Sequence, residues 1–425
     1  MQTIYNILNP YFAIPAAVKR LFMIQLSINS VFASFFLIMN IYLRKVGFED
    51  HQIAGFTSFQ FFGSFMFAFP LGVYIKGKKL KPFFFFASIA VPLAGLLIVN
   101  SVRLQIEPLI KTGFFISGCG LMTMQVCALP FILRNGDGET LSESISLSFT
   151  SWSLAVITAG VGIAILRTLE PVIYQISIQS SEYYILTMFL FIGIPAMFLA
   201  PGLKEKPPLS KSGRFMDNLK TFRHDYDWFI ILKALIPTLL IAIGAGLTIP
   251  FVNLFFFSVF QLDSHYFGLL GSTASVLGVF SALLVPSVRR RYGYRVAILM
   301  TQSIAILFLI GLGMTEVYSA VKGAFAMAVI FYLFRQPFMH MAAPITSELT
   351  MQYVGKKNQE LLSALNSTLW SASWFVSAKI FQYLRGMDMF YHQIFFITAG
   401  LYGFGVFLYH FIIKEFLQNN TSVIK

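Results

Sequence analysis

Charge is what this chain lacks. Asp, Glu, Lys and Arg make up 12% of its 425 residues, against about 25% in an average soluble domain. That is too little to cover a water-facing surface of this length. Two cysteines exclude a disulfide scaffold. Cys119 and Cys127 stand too far apart on one helix for a bridge, and two soft ligands do not make a metal site, so both are packing residues. Gly72 to Lys78 satisfies G-x4-G-K, but Lys79 replaces the required Ser/Thr and no strand precedes it. ATP-driven transport and a bound cofactor are therefore not expected. No H-E-x-x-H occurs, and no two carboxylates face one another inside an apolar run, as an intramembrane hydrolase requires; the chain is not expected to be an enzyme.

What is present is apolar: 57% hydrophobic residues, 48 of the 425 being Phe. A helical span needs about 20 mostly apolar residues, and twelve such runs occur. They extend from Leu21 to Leu43, Gln52 to Ile75, Pro82 to Asn100, Pro108 to Leu133, Ile145 to Leu166 and Tyr183 to Ala200. After a polar stretch come Phe229 to Phe260, Phe267 to Pro286, Val296 to Gly313, Ala320 to Thr346, Leu361 to Leu384 and Gln393 to Ile413. Their length and lack of alternation favour helices over barrel strands. The first is too long for a signal-peptide core and has no small-residue cleavage site behind it, so it is expected to remain as a helix. The expected fold is all-α: two six-helix bundles, 1–200 and 229–425, joined by a basic linker, 201–228.

The net charge of +13 suggests nucleic acid until the charges are placed. About three times as many Lys and Arg fall on one set of loops as on the other, which the positive-inside rule assigns to the cytoplasm. Both termini are then cytoplasmic, in a cell (inner) membrane. The basic excess records topology, and nucleic acid is not expected as a partner. The expected surroundings are lipid and a small-molecule substrate, with the chain acting as a monomer.

The halves resemble one another. Glu49-Asp50-His51 aligns with Asp263-Ser264-His265, Pro130 with Pro344, and Thr150, Trp152, Ser153 with Thr368, Trp370, Ser371. Both halves start on the same side, so these are parallel repeats, the architecture of major facilitator transporters. The loop Arg289-Arg290-Arg291-Tyr292-Gly293-Tyr294-Arg295 resembles that superfamily's basic loop between helices eight and nine. Gly72 to Lys79 resembles its signature loop between helices two and three, without the aspartate. Ala159-Gly160-Val161-Gly162 in helix five lacks the proline of the antiporter signature. The resemblance implies a secondary transporter working by alternating access, with helices one, four, seven and ten around the substrate.

Apart from Lys111 and Lys322, within the first four residues of a span, three cations lie within spans: Lys233, Lys379 and Arg335. The lysines can reach an interface by snorkelling; Arg335 sits too deep, at a cost of at least about 2.5–3.5 kcal/mol. All 18 Asp and Glu fall in loops or at helix ends, so no carboxylate partner suggests itself, and Arg335 reads as an anion-binding residue. The alternative is bonding to carbonyls near Pro337, whose missing amide frees an acceptor. Tyr332 and Met339 share a face with Arg335. Gln25 and Asn29 on helix one, Gln125 on helix four and Trp370 on helix eleven complete the candidate substrate contacts. His340 titrates near neutrality without help and is the candidate for proton coupling. Glu348 is expected to meet Arg289, Arg290 and Arg291 as a cytoplasmic gate, and Asp137, Glu139 or Glu143 to meet Lys76 to Lys81. The expected cargo is a small anionic organic solute; the alternative is export of amphipathic or aromatic compounds.

Overall fold

In lipid every backbone N–H and C=O must find its partner inside the chain, so long apolar segments become helices. The computed structural model describes residues 13–75, 77–136, 140–168, 181–207, 226–355 and 358–422. These residues are all helix, turn or loop, with no strand among them. Six helices form the first half: α1 (Ala16–Val46), α2 (Asp50–Tyr74), α3 (Lys81–Arg103), α4 (Glu107–Asn135), α5 (Leu141–Thr168) and α6 (Ser181–Leu199). The second half opens with α7 (Trp228–Phe260), which the sequence presents as one run. A 3-10 turn at Ile249–Phe251 interrupts it, where Pro250 has no N–H to continue the ladder. Ser264–Val317 is one long helical stretch with a single non-helical residue, Gly293, at φ 70° and ψ 175°. Only glycine adopts that backbone without strain, so this residue divides α8 (264–292) from α9 (294–317). The chain closes with α10 (Ala324–Val354), α11 (Gln359–Gly386) and α12 (Tyr391–Ser422). Among the described residues nine helical segments are long and apolar enough to cross a bilayer.

The internal repeat is written in the backbone of the connections. Positive φ recurs at Gly47 and Gln261, at Gly77 and Gly293, and at Gln105 and Gly323. These are matching loops of the two halves, although only the second pair conserves the residue type. Gly47 closes α1 in the left-handed conformation, its N–H returning to the carbonyls of Leu43 and Arg44, a common helix stop.

The chain divides into two compact units: Met1–Gly47 with Phe59–Thr221, and Phe48–Ser58 with Phe222–Lys425. In the first, α1 packs on α5 and α6, and α3 on α4, around Leu21, Ile24, Ile28, Phe84, Cys127 and Phe131. Helices α2 and α4 approach at backbone distance: a Cβ on Gly118 would stand 1.9 Å from the Gln60 carbonyl oxygen. In the second unit, α7 packs on α11 and α12. The opening turns of α2 belong to the second unit because Asp50, 4% exposed, accepts from Arg385 Nη2 at 2.7 Å, from Arg385 Nε at 3.1 Å, and from the Tyr391 hydroxyl.

Candidate substrate site

Arg335 is twelfth in the 31-residue α10, roughly 17 Å from its start at 1.5 Å per residue. Its side chain points inside the second unit and is 2% exposed. Nη2 lies 3.4 Å from the Tyr402 hydroxyl on α12, a long hydrogen bond, and the guanidinium carbon is 5.9 Å from the centre of that ring. Nε has no hydrogen-bond partner among the described residues. No described carboxylate pairs with the group, and no carbonyl near Pro337 takes it up. Tyr402 is fixed by α7: a Cβ on Gly244 would meet its ring at 3.0 Å. A guanidinium carries five donors, so this one is held in place with most of its bonding capacity unused.

The residues around Arg335 divide by exposure. Tyr332 is buried against Phe256 and Phe267, with ring centres 5.5 and 6.2 Å away. Met339 is half-buried, whereas His340 is exposed beside Gly278 of α8. Trp370 on α11 is half-buried. In the first unit, Gln25 accepts from the Ser148 hydroxyl at 2.9 Å and Asn29 donates to Ser151 at 2.9 Å. Both amides thereby tie α1 to α5, which spends part of the capacity expected for substrate. Gln125 on α4 is exposed.

The basic loop between α8 and α9 forms one of the expected ion pairs. Arg289 Nη2 stands 2.7 Å from Glu348 Oε1 and donates to the Tyr294 hydroxyl at 2.9 Å. Tyr294 in turn donates to Gln352, which bonds Glu348. Arg291 lies instead over the Tyr292 ring, 5.5 Å from its centre; the side chain of Arg290 is outside the described residues.

The corresponding first-half loop is held by a different acid from those expected. Glu205, 5% exposed, pairs with Arg134 at 2.8 Å and accepts from the backbone N–H groups of Leu80 and Lys81. It thereby caps the start of α3, where free amides favour an anion. Glu143 pairs with none of the described lysines, and Asp137 and Glu139 lie outside the described residues. Lys233 does not rely on snorkelling alone, because it forms an ion pair with Glu415 of α12. Lys379 is exposed and donates to Gln382 at 3.0 Å.

Sequence reasoning missed Tyr402, Glu205 and the Asp50–Arg385–Tyr391 cluster. Asp50 carried a signal, since it stands in one of the aligned repeat segments. Tyr402 carried none: it is one of 18 tyrosines, and its role depends on which face of α12 meets α10.

Two helical units with matching loop backbones and a set of long apolar helices define a polytopic membrane protein. Comparison makes this particular. The model of the Major Facilitator Superfamily matches residues 152–378, and the chain belongs to that superfamily. Solved structures of the same fold include a D-xylose-proton symporter, 13% identical, covering 92% of this chain and 95% of the other with a TM-score of 0.69. The nucleoside transporter NupG is 12% identical over 93% of this chain and 99% of its own, with a TM-score of 0.70. PepTSo, a transporter of the POT family, is 10% identical, covers 95% and 99%, and scores 0.70. Comparison with curated proteins gives no match. Identities this low show the fold alone; it is the family match that makes the chain a membrane transporter.

Proposed function

We propose that the chain is a secondary transporter of a small anionic organic solute, working by alternating access, with Arg335 as the group that recognises the anion. The observation that carries this reading is the state of Arg335: buried, and among the described residues without a carboxylate and with Nε unbonded. A charge at that depth is retained at a cost of at least about 2.5–3.5 kcal/mol. A carboxylate or phosphate meeting the guanidinium side-on would offset that cost through charge-assisted, bidentate bonds. Met339 and Trp370, half-buried in the same unit, are the further contacts of the proposed site. His340, exposed on the same helix, is the candidate for carrying a coupling proton.

The test is ligand-induced thermal stabilisation of the purified chain, screened against carboxylates, phosphates, peptides and neutral or cationic aromatic compounds. A ligand present at 100 times its Kd stabilises the folded state by about 2.7 kcal/mol. Anionic hits that vanish in Arg335→Gln, while the variant melts like the parent without ligand, support the reading. Hits confined to neutral or cationic aromatics, unchanged in Arg335→Gln, overturn it in favour of an exporter of amphipathic compounds. In proteoliposomes, His340→Gln should keep solute exchange and lose accumulation driven by a pH gradient; accumulation at the parental level removes His340 from the mechanism.

A further inference from the structure

A second cationic site lies away from Arg335, where the start of α9 meets the end of α12. The start of α9 and the end of α12 enclose a groove of about 340 Å³, lined by Arg295, His410, Ile413, Lys414, Leu417 and Gln418. Arg295 and Lys414 are both exposed, and neither pairs with a described carboxylate. The acid next in sequence, Glu415, is taken by Lys233 of α7. The groove therefore combines two cations unpaired among the described residues and an imidazole with an aliphatic floor, Ile413 being 1% exposed.

The surface leading away from the groove is apolar and open. Phe404, Phe407 and Phe411 on α12 are 54%, 54% and 48% exposed. Their spacing continues to Lys414 on the same helical face. From Lys414 back to Phe404 is about 15 Å of helix at 1.5 Å per residue, about half of a 30 Å hydrocarbon core. On α9, Met300 and Leu307 are 56% and 66% exposed.

We propose that this groove binds an anionic phospholipid. Its phosphate would sit between Arg295 and Lys414, with His410 and Gln418 as additional hydrogen-bonding groups. Its acyl chains would lie along the Phe411–Phe407–Phe404 stripe, one leaflet deep. Charge complementarity selects the headgroup: basic residues at a membrane surface attract anionic lipid, and no acid lines this mouth to accommodate a cationic or zwitterionic amine. The length and direction of the stripe select a lipid over a soluble phosphate, which would make no use of it.

The test is native mass spectrometry of the full chain in detergent, titrated with phosphatidylglycerol or with phosphatidylcholine of identical acyl chains. The parent should retain the anionic lipid preferentially. At about five-fold per basic side chain, Arg295→Gln with Lys414→Gln should weaken that retention about 25-fold and leave phosphatidylcholine binding unchanged. Both side chains are exposed and pair with no described residue, so the double variant should melt like the parent; Arg103→Gln, at another helix end, controls for general loss of charge. Equal retention of the two lipids by the parent, or parental retention of phosphatidylglycerol by the double variant, overturns the proposal. Displacement of the lipid by millimolar glycerol phosphate also overturns it, because the site would then read the headgroup alone.

Discussion

Replacing Asp50 by Asn tests how the opening of α2 is held to the second unit. The carboxylate is 4% exposed and Arg385 is 19% exposed, with their closest atoms 2.7 Å apart. Asp50 Oδ2 takes two guanidinium N–H groups and the Tyr391 hydroxyl. An asparagine supplies at most one acceptor oxygen, uncharged, and its amide would face other donors. Removing one partner of a buried pair costs about 3–5 kcal/mol. Arg385 keeps the Met389 carbonyl and the Tyr391 ring, 4.3 Å from its guanidinium carbon, so the lower end applies, about 3 kcal/mol. At about 2–4 °C per kcal/mol for a unit of this size, the melting temperature should fall by about 6–12 °C. A cycle of Asp50→Asn, Arg385→Gln and the double variant isolates the interaction, and coupling of about 2 kcal/mol is expected. Hydrogen exchange should rise within residues 48–58 before it rises elsewhere. Additive effects within about 0.5 kcal/mol, or exchange unchanged in that segment, would refute the assignment of this cluster as the anchor.

Three further outcomes follow from the packing. Gly118→Ala forces a Cβ to within 1.9 Å of the Gln60 carbonyl oxygen. Backbone must move, so a loss of 3 kcal/mol or more by thermal melting is expected, beyond the usual about 1–3 kcal/mol of overpacking; Gly72→Ala, with its nearest neighbour at 4.0 Å, should be close to neutral. Glu205→Gln strips the charge from a carboxylate bonded to Arg134 and to two α3 amides. It should cost about 2–4 kcal/mol, seen as lower stability and faster hydrogen exchange at residues 80–84. Glu348→Lys breaks a pair whose side chains are about one-third exposed, so stability should change by no more than about 1 kcal/mol. A changed initial transport rate at constant melting temperature would support a gating role, and an unchanged rate would remove Glu348 from the gate.

Much of the architecture was legible because hydropathy and charge act locally. Each apolar run must satisfy its own backbone whatever lies beside it, so the helices could be read one at a time, and the basic loops marked one face. The Arg289–Glu348 pair was also legible, since a dense cationic loop has few acids within reach. The Lys76 to Lys81 loop shows the limit: Asp137, Glu139 or Glu143 was expected there, and among the described residues it is Glu205 that bonds the Leu80 and Lys81 amides and Arg134. Position after α6, rather than proximity in sequence, brings its carboxylate to the amides of α3.

By itself, the sequence determined an all-helical membrane chain of two related halves, with one arginine placed where charge is costly. Tertiary structure decided what that arginine meets. Its neighbour Tyr402 lies 67 residues away on α12, and no periodicity links the two. It also decided that Asp50 anchors the start of α2 to the second unit, and that Arg295 and Lys414 share a groove. Helix formation is fixed by short-range hydrogen bonding and transfer energy along one segment, whereas these pairings depend on how helices rotate and cross, which packing alone sets.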